Sequence, residues 1–331
     1  MGISNRKVTT MEYTPQSSPL KVALPDIDLS PGPFCMSFQF SLERLKASIE
    51  RFGILNPPYL VKNSVFTVVA GYRRLLAASE LGWADIPCRI LPGDLPPLDT
   101  LLFNLHDNVT VRQFNPIEKG MVLKRLAQYI TEEEILRDYM PMLQLPSNRQ
   151  TLRLYLSFED LDDAVKVSVA TGRLSVKAVE VIRGLSPEDQ REINRLFTTL
   201  KWSVSLQWQA CLWIIEIASR EGGSAREVIE DIAELLTNGT MNSPQKVRAI
   251  VRALRERRFP TIMESERSFK KGLSHIALPS KVKVIHPPFF EGPDYKLEIV
   301  FRAGKELMKT LARLQNTAGL EEITDFCKNK T

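Results

Sequence analysis

Histidine and cysteine are scarce in this chain, with 3 of the first and 4 of the second in 331 residues. Cys35, Cys88, Cys211 and Cys327 stand far apart and form no Cys-x-x-Cys pair. That spacing speaks against a zinc site and a disulfide scaffold and favours a reducing cytoplasm. No run of about 18 or more uncharged apolar residues occurs, so no membrane span is expected, and the start lacks the basic-then-apolar pattern of a secretory signal. MGISNR meets a myristoylation signal only at Gly2, because Arg6 stands where Ser or Thr is wanted. Neither sign of charge dominates: 44 Lys and Arg against 39 Asp and Glu give +5, so only local clustering of cations would announce a polyanionic partner.

What is present is ordinary globular composition, 44% hydrophobic and 25% charged, with 21 prolines marking turns and edges. The length predicts more than one domain. Residues 1–34 are polar and read as a tail that becomes ordered near VALPDIDL. Residues 35–100 mix helix and strand. Ser41 opens the helix LERLKASIERF, PPYLV and VFTVV read as strands, RRLLAASEL as a helix and IPCRIL as another strand.

From residue 101 the pattern becomes helix after helix. Asn115-Pro-Ile-Glu118, Thr131-Glu-Glu-Glu134 and Ser224-Ala-Arg-Glu227 each place a capping side chain three residues before a glutamate able to reach back. Ser186-Pro187 and Ser243-Pro244 add caps followed by proline. Residues 101–200 read as one helical domain and 201–272 as a helical extension with a basic linker. Residues 273–331 read as a ββα module from KVKVI, KLEIVF and KELMKTLARLQ. Two strands and a helix bury little surface alone, so this module is expected to pair with a second copy.

Two stretches carry chemistry. In FTVVAGYRRLLAA a strand breaks at Gly71 and restarts as a helix, so first-turn amides and the helix dipole favour an anion there, with Arg73 or Arg74 adding bidentate contacts. The alternative is a surface arginine paired with Glu80 or Asp85. In HDNVTVRQFNPIE, Asp107 and Asn108 are candidate magnesium ligands and Arg112 a neutralising cation. The alternative is that Asp107 and Asn108 make turn and capping bonds in a loop.

The order LKASIERFGILNPPYLV, VVAGYRRLLAASELGWADIPCRI, DNVTVRQFNPIEKG and TGRLSVKAVEVIRGL resembles the ParB chromosome and plasmid partition family, with its relatives among transcriptional repressors. The resemblance spans roughly residues 35–195, and the C-terminal strands and helix are similar to that family's dimerisation domain. It implies an α+β ParB/sulfiredoxin-like N-terminal domain, an all-α helix-turn-helix middle domain and a small ββα C-terminal domain. It implies a CTP and magnesium pocket in which Gly71 and Arg74 hold the triphosphate and Asp107 and Asn108 the metal and phosphates, with Glu118 in the helix behind. Asp107 stands where the family usually has glutamate, and Tyr72, Leu76 and Val111 stand where it keeps charged residues. The expectation is therefore nucleotide binding with at most weak CTP hydrolysis, in a dimeric clamp on double-stranded DNA associated with the nucleoid or a plasmid. A ParA-type ATPase partner is not supported, since the family's basic glycine-containing N-terminal segment is not visible in MGISNRKVTTMEYTP.

The segment 131–161 fits helix, turn, helix, with Asn148, Arg149, Gln150, Thr151 and Arg153 at the start of a recognition helix. Arginine reads guanine there, and asparagine or glutamine reads adenine. Arg173 and Lys177 are further candidates for phosphate contact, the alternative being a solvated helix face. Lys246, Arg248, Arg252, Arg255, Arg257 and Arg258 form a second basic cluster, which suits either phosphate contact or a helix end favouring cations. Two competing functions remain. One is a magnesium-dependent nuclease or phosphotransferase on the same scaffold, and the other is a scaffold that has lost its nucleotide and uses its helices for protein contacts.

Overall fold

The structure, a computed structural model, describes residues 18–292, 294–321 and 323. The first residues, with the acylation and partner-ATPase readings attached to them, and Cys327 fall outside the described residues. The chain divides into two units. The first runs to Thr199 and takes in Ser203–Trp208; the second holds Leu200–Trp202 and the residues from Gln209 onward.

The first unit begins with a five-stranded sheet: β1 Leu20–Ala23, β2 Ile27–Asp28, β3 Tyr59–Lys62, β4 Phe66–Ala70 and β5 Asp85–Leu91, in the order β1-β5-β3-β4-β2. β1–β5 and β3–β4 are antiparallel, while β3–β5 and β2–β4 are parallel. The stretch read as a tail thus supplies both sheet edges. Only the 3-10 turn Leu24–Asp26 joins those edges. Such a turn advances roughly 2 Å per residue, whereas five flat strands would be about 19 Å across, so the sheet must curl.

The strands alternate, and each face has its own apolar cover. Val22, Ile27, Leu60, Val68, Ile86 and Cys88 pack with Leu75 and Ala78 of α2, Tyr72–Glu80. Val61, Val69 and Leu91 take the other face with Phe34 and with Phe103 of α3, Pro97–Val109. Buried Asn104 of α3 donates its amide to the Val69 carbonyl, which pins α3 to the strand that ends at Ala70. The last turn of α3 therefore reaches the strand-to-helix corner that follows. α1, Glu43–Phe52, packs its apolar stripe beside α2, and Lys46 pairs with Glu80 at 3.1 Å.

Helices complete the unit. α4, Pro116–Leu126, starts at the Asn115–Glu118 capping box, and α5, Glu132–Glu134, starts at the Thr131–Glu134 box. α5 runs on through the π-helical stretch Ile135–Tyr139 into α6, Met140–Met142, and then come α7, Arg149–Leu156, α8, Asp163–Ala170, α9, Val176–Ile182, and α10, Pro187–Thr199. Gly120 lets α4 and α7 touch: a Cβ there would lie 2.7 Å from the Tyr155 carbonyl oxygen. Buried Gln207 accepts from the Ser175 amide at 2.9 Å and donates to the Arg173 carbonyl at 2.8 Å, fixing the turn into α9.

The second unit takes most of α11, Val204–Glu221, then α12, Ala225–Glu230, α13, Ala233–Thr237, α14, Ser243–Arg258, and α15, Pro260–Ser274. The cap of α14 is Asn242, not the Ser243 expected from Ser243-Pro244. Its side chain accepts from Gln245, whose own side chain reaches back to the Asn242 amide. β6, Val282–Ile285, pairs antiparallel with β7, Lys296–Ile299, and α16, Gly304–Gln315, follows. Ile285, Leu297, Met308 and Leu311 on these elements, and Val300 and Phe301 between β7 and α16, remain exposed.

Candidate functional site

Gly71 ends β4 in the left-handed region, at φ 90° and ψ 18°, and is the N-cap of α2 without any side-chain capping bond. Glycine is demanded twice here. An L side chain is strained at that φ, and a Cβ would sit 2.9 Å from the Pro58 Cα. Because nothing caps α2, its first amides retain the positive end of the helix dipole for an outside acceptor.

The two arginines that follow have different surroundings. Arg74 donates to the Asn56 carbonyl at 2.9 Å and faces Asp107 at 3.9 Å, a loose ion pair. Arg73 turns inward. It donates to the Ser37 hydroxyl at 3.1 Å, meets the Glu118 carboxylate at 2.5 Å and lies over the Phe40 ring. Burial, and next the neighbouring Arg112 charge, pull the Arg73 guanidinium below its ordinary pKa. Glu118 opposes both effects without cancelling them.

Glu118 is the hub. Its side chain is 1% exposed and takes Arg73 on one oxygen and Arg112 on the other, the latter at 2.7 Å. The same carboxylate accepts the amides of Phe38 and Asn115. Arg112 also donates to the Met36 carbonyl and to Asn108 Oδ1, at 2.7 and 2.8 Å. Asn115 donates to the Phe38 carbonyl at 2.8 Å. Residues 36–40 are thereby strapped across the corner. The sequence offered one signal for this hub, the capping box Asn115–Glu118, but not that its acid would also pair with two arginines. The strap residues Met36, Ser37 and Phe38 carried no signal.

Asp107 and Asn108 lie in the last turn of α3, not in the loop that was expected. Asn108 donates back to Asn104, at 2.9 Å to its carbonyl, and Asn104 is itself tied to the Val69 carbonyl of β4. The structure brings Gly71, Arg74, Asp107 and Asn108 to one corner. It commits Arg73 and Arg112 to Glu118, and Arg112 takes the Asn108 oxygen. Among the described residues no group of three or more His, Cys, Asp or Glu is placed to hold a metal ion. Asp107 fits the mode in which magnesium takes one carboxylate and completes its shell with phosphate oxygens and water.

In the helical part, Asn148 caps α7 by accepting the Thr151 amide at 2.8 Å. Arg149 pairs with Glu132 and Glu133, at 2.7 and 3.2 Å, and Gln150 donates to Glu180 at 2.8 Å. Glu180 lies three residues beyond Lys177 on α9, so that bond sets the Lys177 face beside the start of α7. Arg153, Arg173 and Lys177 are exposed with no ion pair among the described residues. The cluster on α14 is largely engaged. Arg252 meets Glu256, Arg255 meets Glu266, Arg257 meets Glu221 and Asp231, and Arg258 meets Glu216. Lys246 donates to the Leu236 carbonyl.

No helix among the described residues is long and apolar enough to cross a membrane. The ParB N-terminal domain family matches residues 27–108. The probable chromosome-partitioning protein ParB of Campylobacter jejuni is 30% identical over 169 residues, covering 49% of this chain and 58% of the relative. That of Chlamydia muridarum is 26% identical over 186 residues, covering 53% and 63%. The chain thus spans about three-fifths of the length of these relatives. Among solved structures, C-terminally truncated ParB from Caulobacter crescentus complexed to the centromeric parS site is 18% identical with a TM-score of 0.33, covering 58% of this chain and 98% of that one. The same protein complexed with CTP-gamma-S is 21% identical with a TM-score of 0.25, covering 54% and 97%. The match of residues 27–108 takes in the strands β2 to β5, the Gly71 corner, Asp107 and Asn108, so over that stretch the chain is similar to the ParB N-terminal domain.

Proposed function

We propose that the protein is a dimeric, sequence-specific DNA-binding protein of the ParB kind, acting in DNA partition or transcriptional regulation, whose hold on DNA is set by CTP and magnesium at the Gly71 corner. One observation carries the nucleotide reading: the uncapped start of α2 bears Arg74 in its first turn, and among the described residues that charge meets only the Asn56 carbonyl and the 3.9 Å pair to Asp107. A phosphate chain there would receive helix amides and one guanidinium. Asp107 would share a magnesium ion with the phosphates, and Asn108 would position Arg112. Arg73 and Arg112 act from behind, holding residues 36–40 against the corner. Nucleotide binding with weak turnover at most suits a corner whose two other arginines are already engaged by Glu118.

DNA would meet the start of α7 and of α9. Arg153, Arg173 and Lys177 are exposed cations there. The Arg149 pairs are exposed at 62% for the arginine side chain, and such pairs contribute little, about 0–1 kcal/mol, so the arginine can exchange glutamate for base or phosphate. The exposed Leu297, Val300, Phe301, Met308 and Leu311 suit pairing of two C-terminal ββα modules. Titration of the full chain with labelled CTP and magnesium, with and without duplex DNA, tests the reading. Absence of CTP binding in both conditions would leave a plain DNA binder.

A further inference from the structure

A cavity lies in the helical part of the first unit, with a volume of about 310 Å³. Phe38, Ile117, Gly120, Met121 and Phe158 give it apolar walls, and Lys124, Arg125, Lys166 and Glu159 give it a charged rim. None of Gly71, Arg73, Arg74, Asp107, Asn108 or Arg112 lines it. Its volume is at the small end of ligand-binding pockets, which combine apolar walls with a few placed polar groups.

Arg125 makes the cavity unusual. Its Nη1 is fully buried and has no hydrogen-bond acceptor. A buried guanidinium nitrogen left without a partner is rare and costly, because the desolvated donor has lost water and gained nothing in return. Burial pulls this guanidinium below its ordinary pKa, with the nearby Cys35 and Glu159 only opposing the trend. The flanking cations are held weakly. Lys124 meets Glu159 at 3.3 Å and Lys166 meets Asp163 at 3.0 Å, and the two acids are 66% and 96% exposed. Exposed pairs of this sort exchange readily for a better-placed anion.

We propose that this cavity is a binding site for a small organic anion, one carboxylate or phosphate group on a flat apolar body. The anionic head lies against the Arg125 guanidinium, with Lys124 and Lys166 at its flanks. The apolar body lies against Phe38, Met121 and Phe158. Phe38 belongs to the strap whose amide donates to Glu118, so an occupant also braces residues 36–40. The proposal does not rest on the nucleotide reading of the Gly71 corner.

The test titrates the full chain with benzoate, phenyl phosphate, inorganic phosphate and benzyl alcohol, read by calorimetry and by the shift of thermal unfolding. Saturable binding of benzoate or phenyl phosphate is expected, which of the two being the tighter naming the head group. Benzyl alcohol should not bind, and inorganic phosphate should bind more weakly than phenyl phosphate. Arg125→Gln should weaken the aryl anions by about tenfold or more, as expected for loss of a charge-assisted contact, while Arg74→Ala leaves them unchanged. Lys166→Gln, which breaks only the pair to the exposed Asp163, keeps the test decisive if Arg125→Gln does not fold; a severalfold weakening is expected. No saturable binding of either aryl anion would overturn the proposal. So would binding unchanged in both cavity variants, or binding lost in Arg74→Ala, which would place the probe at the other corner.

Discussion

The Glu118 carboxylate meets the Arg73 guanidinium at 2.5 Å across an acid side chain only 1% exposed and an arginine side chain 27% exposed. An ion pair this deep is sustained by its further hydrogen bonds, here from Arg112, Phe38 and Asn115. Removing the acid leaves two cations facing each other without compensation.

Glu118→Gln should therefore destabilise the first unit by about 3 kcal/mol, the lower part of the range for breaking a buried pair, since Arg73 keeps some solvent. Urea unfolding measures it. A midpoint shift no larger than that of an exposed pair, such as Arg226→Ala at Arg226–Glu230, would show that the network is not a structural hub.

Gly71→Ala adds a Cβ at φ 90° and 2.9 Å from Pro58, whereas Gly53→Ala, at φ 71°, meets nothing within 4 Å. Both variants carry backbone strain, and only the first carries a clash. Gly53→Ala should cost about 1 kcal/mol and Gly71→Ala about 2–3 kcal/mol. Equal losses by thermal unfolding would contradict the close approach of Pro58.

Gly120→Ala places a Cβ 2.7 Å from the Tyr155 carbonyl and must push α7 from α4. The expected loss is about 1–3 kcal/mol of stability. Duplex DNA affinity should fall in the same variant, because α7 carries Arg149 and Arg153. Unchanged stability would show that the helices have room to spare.

Acid should weaken the second unit through Glu221. Hydrogen bonds from Arg257, and next from Arg220, hold its carboxyl at about 2 instead of 4.5. A lowered folded pKa gives stability that is fully present above about 4.5 and is lost as pH falls toward 2. Urea midpoints measured across that window should drop less steeply in Glu221→Gln than in the unaltered chain. Parallel slopes would show that Arg257 and Arg220 do not act on this acid.

Much of this architecture is legible in the sequence because helix starts are written in short-range chemistry. Asn115–Glu118, Thr131–Glu134 and Ser224–Glu227 all form the expected capping boxes. Short-range rules fail where partners are distant in the chain. β1 and β2 are too short for periodicity to speak, and their pairing with β5 and β4 is set by the fold. The corner shows the same limit. Glycine and two arginines are visible in GYRRLLAA, but which arginine faces outward is decided by Glu118, 45 residues beyond Arg73. Asp107 and Asn108 read as loop residues because their types favour turns, and the Asn104 contact to Val69 that ties α3 to β4 is a tertiary one.

Arg74 and the open start of α2 are the core of the proposed nucleotide site, and the decisive measurement is calorimetric titration of CTP with magnesium into the full chain and its Arg74→Ala variant, each with and without duplex DNA. Saturable, magnesium-dependent CTP binding is expected that is lost in Arg74→Ala and that changes the protein's retention on DNA. CTP binding absent in every condition, or undiminished by Arg74→Ala, would contradict the proposed site.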